Sequence, residues 1–107
     1  MATSKAQGTQ TAIVGTEHTL LTTTDAGSYV LLVDTNNMVL LDKLTLRIKT
    51  RASSGGVTRL AYSALYANVQ GEPIKISIPV ASVREFIATL EQTAGTARNF
   101  DFEITEL

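Results

Sequence analysis

From Lys43 to Lys49 apolar and polar residues strictly alternate: Leu44, Leu46 and Ile48 against Lys43, Thr45, Arg47 and Lys49. A period of two lets a strand bury one face, whereas a helix would scatter the same leucines around its axis. The period returns at Ile74, Ile76 and Ile78, and again at Phe100, Phe102 and Ile104. Turn residues punctuate the chain between these runs: Asp25-Ala26-Gly27, Thr35-Asn36-Asn37, Ser53-Ser54-Gly55-Gly56, Gly71-Glu72-Pro73 and Ala94-Gly95-Thr96. Short strands at this spacing, without long helical patterns, predict an all-β antiparallel β-sandwich or barrel. We expect the sandwich, with a jelly roll as one form of it.

Individual segments sharpen this. Residues 12–14 and 18–23 read as strands on either side of Gly15. Residues 28–34 are apolar on both parities, which predicts a strand covered on both faces. Residues 57–70 read as one long return strand or two with a kink, and Pro79 ends the strand of Ile74, Ile76 and Ile78 at a sheet edge. Residues 82–92 carry two signals. Val83, Phe86, Ile87 and Leu90 fit a helical stripe, with Ser82 and Glu85 as a capping box. Against the helix, the alternating run 100–106 needs a partner strand, and residues 86–93 are the nearest candidate. Strand is the favoured reading there.

A chain of 107 residues makes one domain. At this size it buries roughly 65% of the surface its unfolded chain exposes. We assign that domain to residues 11–107 and read residues 1–10 as a flexible N-terminal arm. A strand within its own domain and an element ordered by a neighbouring subunit both explain such a segment. Its only apolar side chains are Met1 and two alanines. They offset little of an ordering cost of about 1–2 kcal/mol per residue. We therefore expect assembly to order it, with Thr9, Gln10 and Thr11 suited to strand addition on a neighbour.

No reaction centre is legible. There is no cysteine, which excludes disulfides and thiolate metal sites, and the single histidine, His18, cannot build a histidine-rich zinc site. Asp101 and Glu103 alternate with Phe100, Phe102 and Ile104, so a solvated strand face explains them. Asp34, Asn36, Asn37 and Asp42 lack calcium-loop spacing. Gly55-Gly56 lies between strands and does not open a helix, as a phosphate loop would. We expect no enzyme activity, no metal and no cofactor. The apolar runs 29–33 and 38–41 are too short to span a bilayer, and residues 1–10 have no apolar core to serve as a secretory signal.

The charge distribution is uneven. Lys43, Arg47, Lys49, Arg51 and Arg59 are five of nine basic residues, with no acid between Lys43 and Arg59. Nucleic acid would use such a stripe, but a net charge of −1 and the absence of tryptophan argue against it. Residues 84–107 hold five acids and two bases, so a positive middle and a negative end suit contact between copies or with another subunit. We take the five basic residues as candidate partner-binding positions. A solvated edge whose charges discourage aggregation is the competing explanation.

Three stretches carry a resemblance: "GTEHTLLTTTDAGSYVLLVDTNNMVLLDKLTLRIKTR", "GEPIKISIPV" and "LEQTAGTARNFDFEITEL". They resemble small virion structural proteins of tailed bacteriophages over residues 15–107. The shared marks are the Asp25-Ala26-Gly27 turn, the Asp34-Thr35-Asn36 turn, the basic strand ending in Ser-Gly-Gly, and Gln92-Thr93-Ala94-Gly95-Thr96 before an aromatic strand. The resemblance implies a capsid decoration (cement) protein located in the virion. Its partners would be the major capsid protein or other virion subunits, in a homo-oligomer, with neither membrane nor nucleic acid involved. It transfers no catalytic residue. A head–tail connector or tail component is the alternative. A carbohydrate-binding sandwich of an adhesion device is a reading from a different class.

Overall fold

The structure, a computed structural model, describes residues 2–107. It contains nine strands: β1 (Thr3–Thr11), β2 (Glu17–Thr23), β3 (Gly27–Asp34), β4 (Lys43–Thr50), β5 (Arg59–Ala67), β6 (Ile74–Ile76), β7 (Val80–Ser82), β8 (Phe86–Ala94) and β9 (Asn99–Glu106). One sheet runs β1-β9-β3-β6, with β7 also pairing β3, and the other runs β2-β8-β4-β5. Every pairing is antiparallel. If β6 and β7 count as one interrupted strand, eight strands are shared four and four between two sheets. All connections cross between sheets except the β4–β5 and β6–β7 links. This is jelly-roll order.

The alternation that marked β4 is realised in space. Leu44, Leu46 and Ile48 are fully buried against Tyr29, Leu31 and Val33 of β3, Phe86, Ala88 and Leu90 of β8, and Phe100 and Ile104 of β9. Tyr29 and Phe86 join the sheets directly, with ring centroids 4.8 Å apart at 45°. Tilted aromatic pairs of this kind add to the stabilisation from burial alone. The Tyr29 hydroxyl still reaches the carbonyl of Asp25 at 2.7 Å, so its polar end is satisfied.

Several expectations are refined. Residues 86–93 are strand: β8 is an inner strand between β2 and β4, and Ser82 lies in β7 and caps no helix. β3 buries Tyr29, Leu31 and Val33 completely and Val30 almost so, while Leu32 on the outer parity is half-buried. The isoleucine run is inverted. Ile74, Ile76 and Ile78 point to solvent. Lys75 lies 5.0 Å over the Tyr66 ring on the inner side. Pairing with β3 imposes this, because Ile76 sits opposite Leu32 and Lys75 opposite Val33.

The segment read as an arm forms a strand, β1, at the edge of the first sheet. Residue 1 lies outside the described residues. From Thr3 onward, β1 pairs with β9 along its whole length, which places Thr9, Gln10 and Thr11 opposite Asp101, Phe100 and Asn99. The missing apolar side chains are replaced by main-chain bonds, by Gly8 lying on the Phe102 ring, and by an ion pair from Lys5 to Asp25 at 2.6 Å. A period-two pattern cannot reveal such a strand, because its polar face and its sparse inner face look alike.

Deletion of residues 2–9 strips β9 of one ladder and uncovers Phe102. The melting temperature of the truncated chain is expected to fall by more than roughly 8 °C, given about 4–8 °C per kcal/mol at this size. An unchanged melting curve would show that β1 contributes nothing to the fold.

Candidate functional site

The candidate partner-binding residues do not form a free positive face. Arg47 lies on the outer face of its sheet beside acids from two other strands, with Nη1 2.8 Å from Glu91 and 3.4 Å from Glu17. Lys49 reaches the same Glu17 carboxylate at 3.2 Å. Thr89 completes the cluster by donating to Glu17 at 2.5 Å. The Thr89 hydroxyl, then Lys49 and Arg47, hold the Glu17 carboxyl below its ordinary range against the opposing effect of burial. Glu91, then Glu17, raise the Arg47 guanidinium above its own. These acids were invisible to a reading along β4, because only the order β2-β8-β4 brings them beside it.

The remaining members of the stripe are scattered. Among the described residues Lys43 and Arg59 have no ion-pair partner; they stand at the opening residues of β4 and β5. Those positions are at opposite ends of the hairpin ladder, in which Lys43 faces Ala67 and Thr50 faces Arg59. Arg51 lies just beyond β4, half-buried, and its Nε has no hydrogen-bond partner. Thr9 donates to Asp101 at 2.6 Å and Gln10 to the Thr11 carbonyl at 3.0 Å, so the side chains of Thr9 and Gln10 are engaged within the domain.

Residues with catalytic potential have structural work. His18 accepts the backbone N–H of Ile13 through Nε2 at 3.1 Å and closes the β1–β2 loop. Asp34 accepts from the N–H of Asn36 in its turn. Among the described residues, no group of three or more His, Cys, Asp or Glu side chains gathers as a metal site. Tyr29, Phe86 and Phe100 are core, and Tyr62, Tyr66 and Phe102 pack against it, partly buried.

What the sequence reading missed is one end of the sandwich. The β1–β2, β3–β4, β5–β6 and β8–β9 connections meet there, and the buried carboxylate of Asp42 ties the β3–β4 connection to the β8–β9 connection. It accepts the N–H of Val39 at 3.0 Å, the N–H of Thr96 at 3.1 Å and Arg98 Nε at 2.8 Å. Burial opposes its ionisation, but Val39, Arg98 and Thr96 outweigh that and hold the carboxyl below the usual range. Beside it, the buried Gln92 amide donates to the carbonyls of Ala94 and Thr96 and accepts the N–H of Arg98.

This frame presents an apolar tip. Leu40 and Leu41 are 71% and 70% exposed, and Val39, Ile13 and Val69 are exposed on the same end. Leu41 has φ 77° and Asn68 has φ 65°. The two are bonded to each other, since the Leu41 N–H donates to Asn68 Oδ1 at 2.8 Å, and the Asn68 N–H donates to the Asp42 carbonyl at 2.8 Å. Asparagine tolerates the left-handed region, whereas for leucine it costs roughly 1–2 kcal/mol. The run Met38-Val39-Leu40-Leu41 between Asn37 and Asp42 was the available signal. Only its first residue is buried.

Comparison with known proteins finds no matching family model, no matching curated protein and no matching solved structure.

Two predictions follow from Asp42. Asp42→Asn leaves Arg98 without its carboxylate and a donor facing donors; a loss of roughly 2–4 kcal/mol in urea unfolding is expected. Because the folded carboxyl is held below its unfolded value, its contribution is complete above about pH 4 and is lost as pH falls through the folded value. The Asp42→Asn variant should therefore show a shallower acid-side decline than the parent chain. Gly95 has φ 93°, and a Cβ there would lie 2.0 Å from Asp42 Oδ1. Gly95→Ala should cost at least about 2 kcal/mol, whereas Gly55→Ala, with open space around it, should stay within about 0.5 kcal/mol.

Proposed function

We propose that this chain is a non-catalytic structural protein of a bacteriophage particle, a decoration subunit that binds the assembled head shell. One observation carries the reading: the apolar tip around Leu40 and Leu41 is held out of the core by a built frame, at a conformational cost in Leu41. Strain that the surrounding structure maintains points to use at that position. An exposed apolar group with polar surroundings marks a surface for another protein.

The resemblance to phage virion proteins supports the choice of partner, and the jelly roll is compatible with it as a fold that recurs in capsids. That last point is analogy, because the same fold also serves lectins and cupins. The self-neutralised cluster of Arg47, Lys49, Glu17 and Glu91 favours contact through apolar area over contact through charge. A decoration subunit needs no reaction centre. It acts by binding the assembled lattice more tightly than free subunits, which stabilises the shell by mass action. Many copies on one lattice add up weak contacts.

The test is attachment to purified particles. The chain should be found in particles by mass spectrometry, and particles stripped of it should rebind it. Leu40→Asp should leave the free chain's stability within about 0.5 kcal/mol, as exposed substitutions do. It should nonetheless lower rebinding at least about tenfold, as charging a buried contact does. Leu41→Asn relieves the left-handed strain, so it should hold or raise stability while weakening rebinding. Absence of the chain from particles, or full rebinding by both variants, would overturn the proposal.

A further inference from the structure

The outer faces of the two sheets differ. On the β2-β8-β4 sheet, Arg47 and Lys49 are matched by Glu17 and Glu91. On the other sheet, the strand register builds two rows that share the solvent face. Ile76 of β6 stands beside Leu32 of β3, then Glu103 of β9 and Gln7 of β1. In the next row Ile74 stands beside Asp34, then Asp101 and Thr9. Each row thus runs from an isoleucine more than half exposed to a carboxylate of β9. A hollow of about 250 Å³ opens over the rows, lined by Leu32, Asp34, Ile74, Asp101 and Glu103 among others. Among the described residues Asp34, Asp101 and Glu103 make no ion pair. Asp34 accepts the Asn36 N–H and Asp101 the Thr9 hydroxyl, neutral donors that leave both charges uncompensated.

The opposite combination lies where β4 turns into β5. A second hollow, of about 470 Å³, is walled there by Ala52, Gly56, Val57, Leu60 and Ala61, with Arg59 also lining it. Val57 and Leu60 are more than half exposed. Arg51 lies against Gly56, its Cγ 3.5 Å from where a Cβ at that glycine would stand. Among the described residues neither Arg51 nor Arg59 has an ion-pair partner. Glu85 approaches the same loop, but the Thr58 hydroxyl engages it and it makes no ion pair among the described residues. Exposed apolar side chains rimmed by charge mark surfaces for protein contact, and here there are two such surfaces of opposite sign.

We propose that these two surfaces bind each other in different copies of the chain. The isoleucine and carboxylate face of one copy docks on the apolar hollow of another, with Ile76 entering the hollow and Glu103 meeting Arg59. Contact of either surface with itself would set like charges against each other, so the contact joins unlike surfaces. The apolar side chains supply the favourable burial, and the charges fix orientation and speed encounter. Glu103 is the suited carboxylate, because no hydrogen bond within the chain occupies its side chain among the described residues. Neither surface includes Leu40 or Leu41, so copies joined in this way keep the apolar tip free.

The test is a charge swap on the free chain. In sedimentation equilibrium at low salt, the mean mass of the parent chain should rise above the monomer value as its concentration is raised to about 1 mM, the range of weak association. The rise should shrink in about 1 M salt, where the screening length falls to about 3 Å. Arg59→Glu and Glu103→Arg should each weaken association at least about tenfold, because each alone sets like charges face to face. An equimolar mixture of the two variants should restore it, since the hollow of the first then suits the face of the second. Restoration also requires both variants to be folded. Ile76→Ser should weaken association at least about tenfold with an unchanged melting curve. A parent chain that stays monomeric, association indifferent to Arg59→Glu, Glu103→Arg or Ile76→Ser, or a mixture no better than its components would each overturn the proposal. The experiment needs neither particles nor the tip residues, so it succeeds or fails independently of the decoration reading.

Discussion

The carboxylate of Asp42 is buried where three loops and the start of β4 converge, and it must be satisfied there or the end of the sandwich opens. Its oxygens take donors from the β3–β4 loop and from both sides of the β8–β9 turn, with Arg98 supplying the compensating charge. An ionised group so placed is tolerable only when it is paired and fully hydrogen-bonded. The left-handed Gly95 is required because its hydrogen-only face abuts that carboxylate. Gln92 repeats the logic with a neutral amide, fastening Ala94, Thr96 and Arg98. The hydrophobic core sets the spacing of the sheets, while this polar frame sets the shape of one end.

That division explains why the exposed apolar residues do not collapse inward. Met38 occupies the core, but the next three residues are carried away from it because Val39 and Leu41 have their N–H groups committed to Asp42 and Asn68. The tip is thereby held in one conformation, and docking of a tip so held, as proposed, would lose little entropy. The outer face of the β4 sheet is different in kind. Its charges neutralise each other across β2, β8 and β4, which suits a face that remains in water.

Part of this was legible in the residues. Period-two alternation in β4 and β9 located inner faces correctly, because β4 buries Leu44, Leu46 and Ile48 completely and β9 buries Phe100 and Ile104, with Phe102 between them half-buried. The turn residues placed the connections, and the argument that 100–106 needs a neighbour identified β8 as a strand despite its helical stripe. The isoleucines of β6 misled, because their alternation is real but its direction is imposed by pairing with β3. β1 was read as an arm because its stability comes from main-chain bonds and from a single ring under Gly8, neither of which has a compositional signature.

The sequence by itself determined the class of the molecule: a small antiparallel β protein, without cysteine and with one histidine. These are local facts, readable from neighbours a few residues apart. Tertiary structure alone decided what the charged and apolar surface residues do. Glu17 and Arg47 are thirty residues apart, and Glu91 is farther still, yet they share one face because jelly-roll order interleaves strands distant in the chain. The same interleaving puts Asp42 beside Gly95 and leaves β5 as an edge. Which residues meet depends on sheet order, and sheet order is a property of the whole packed core rather than of any segment.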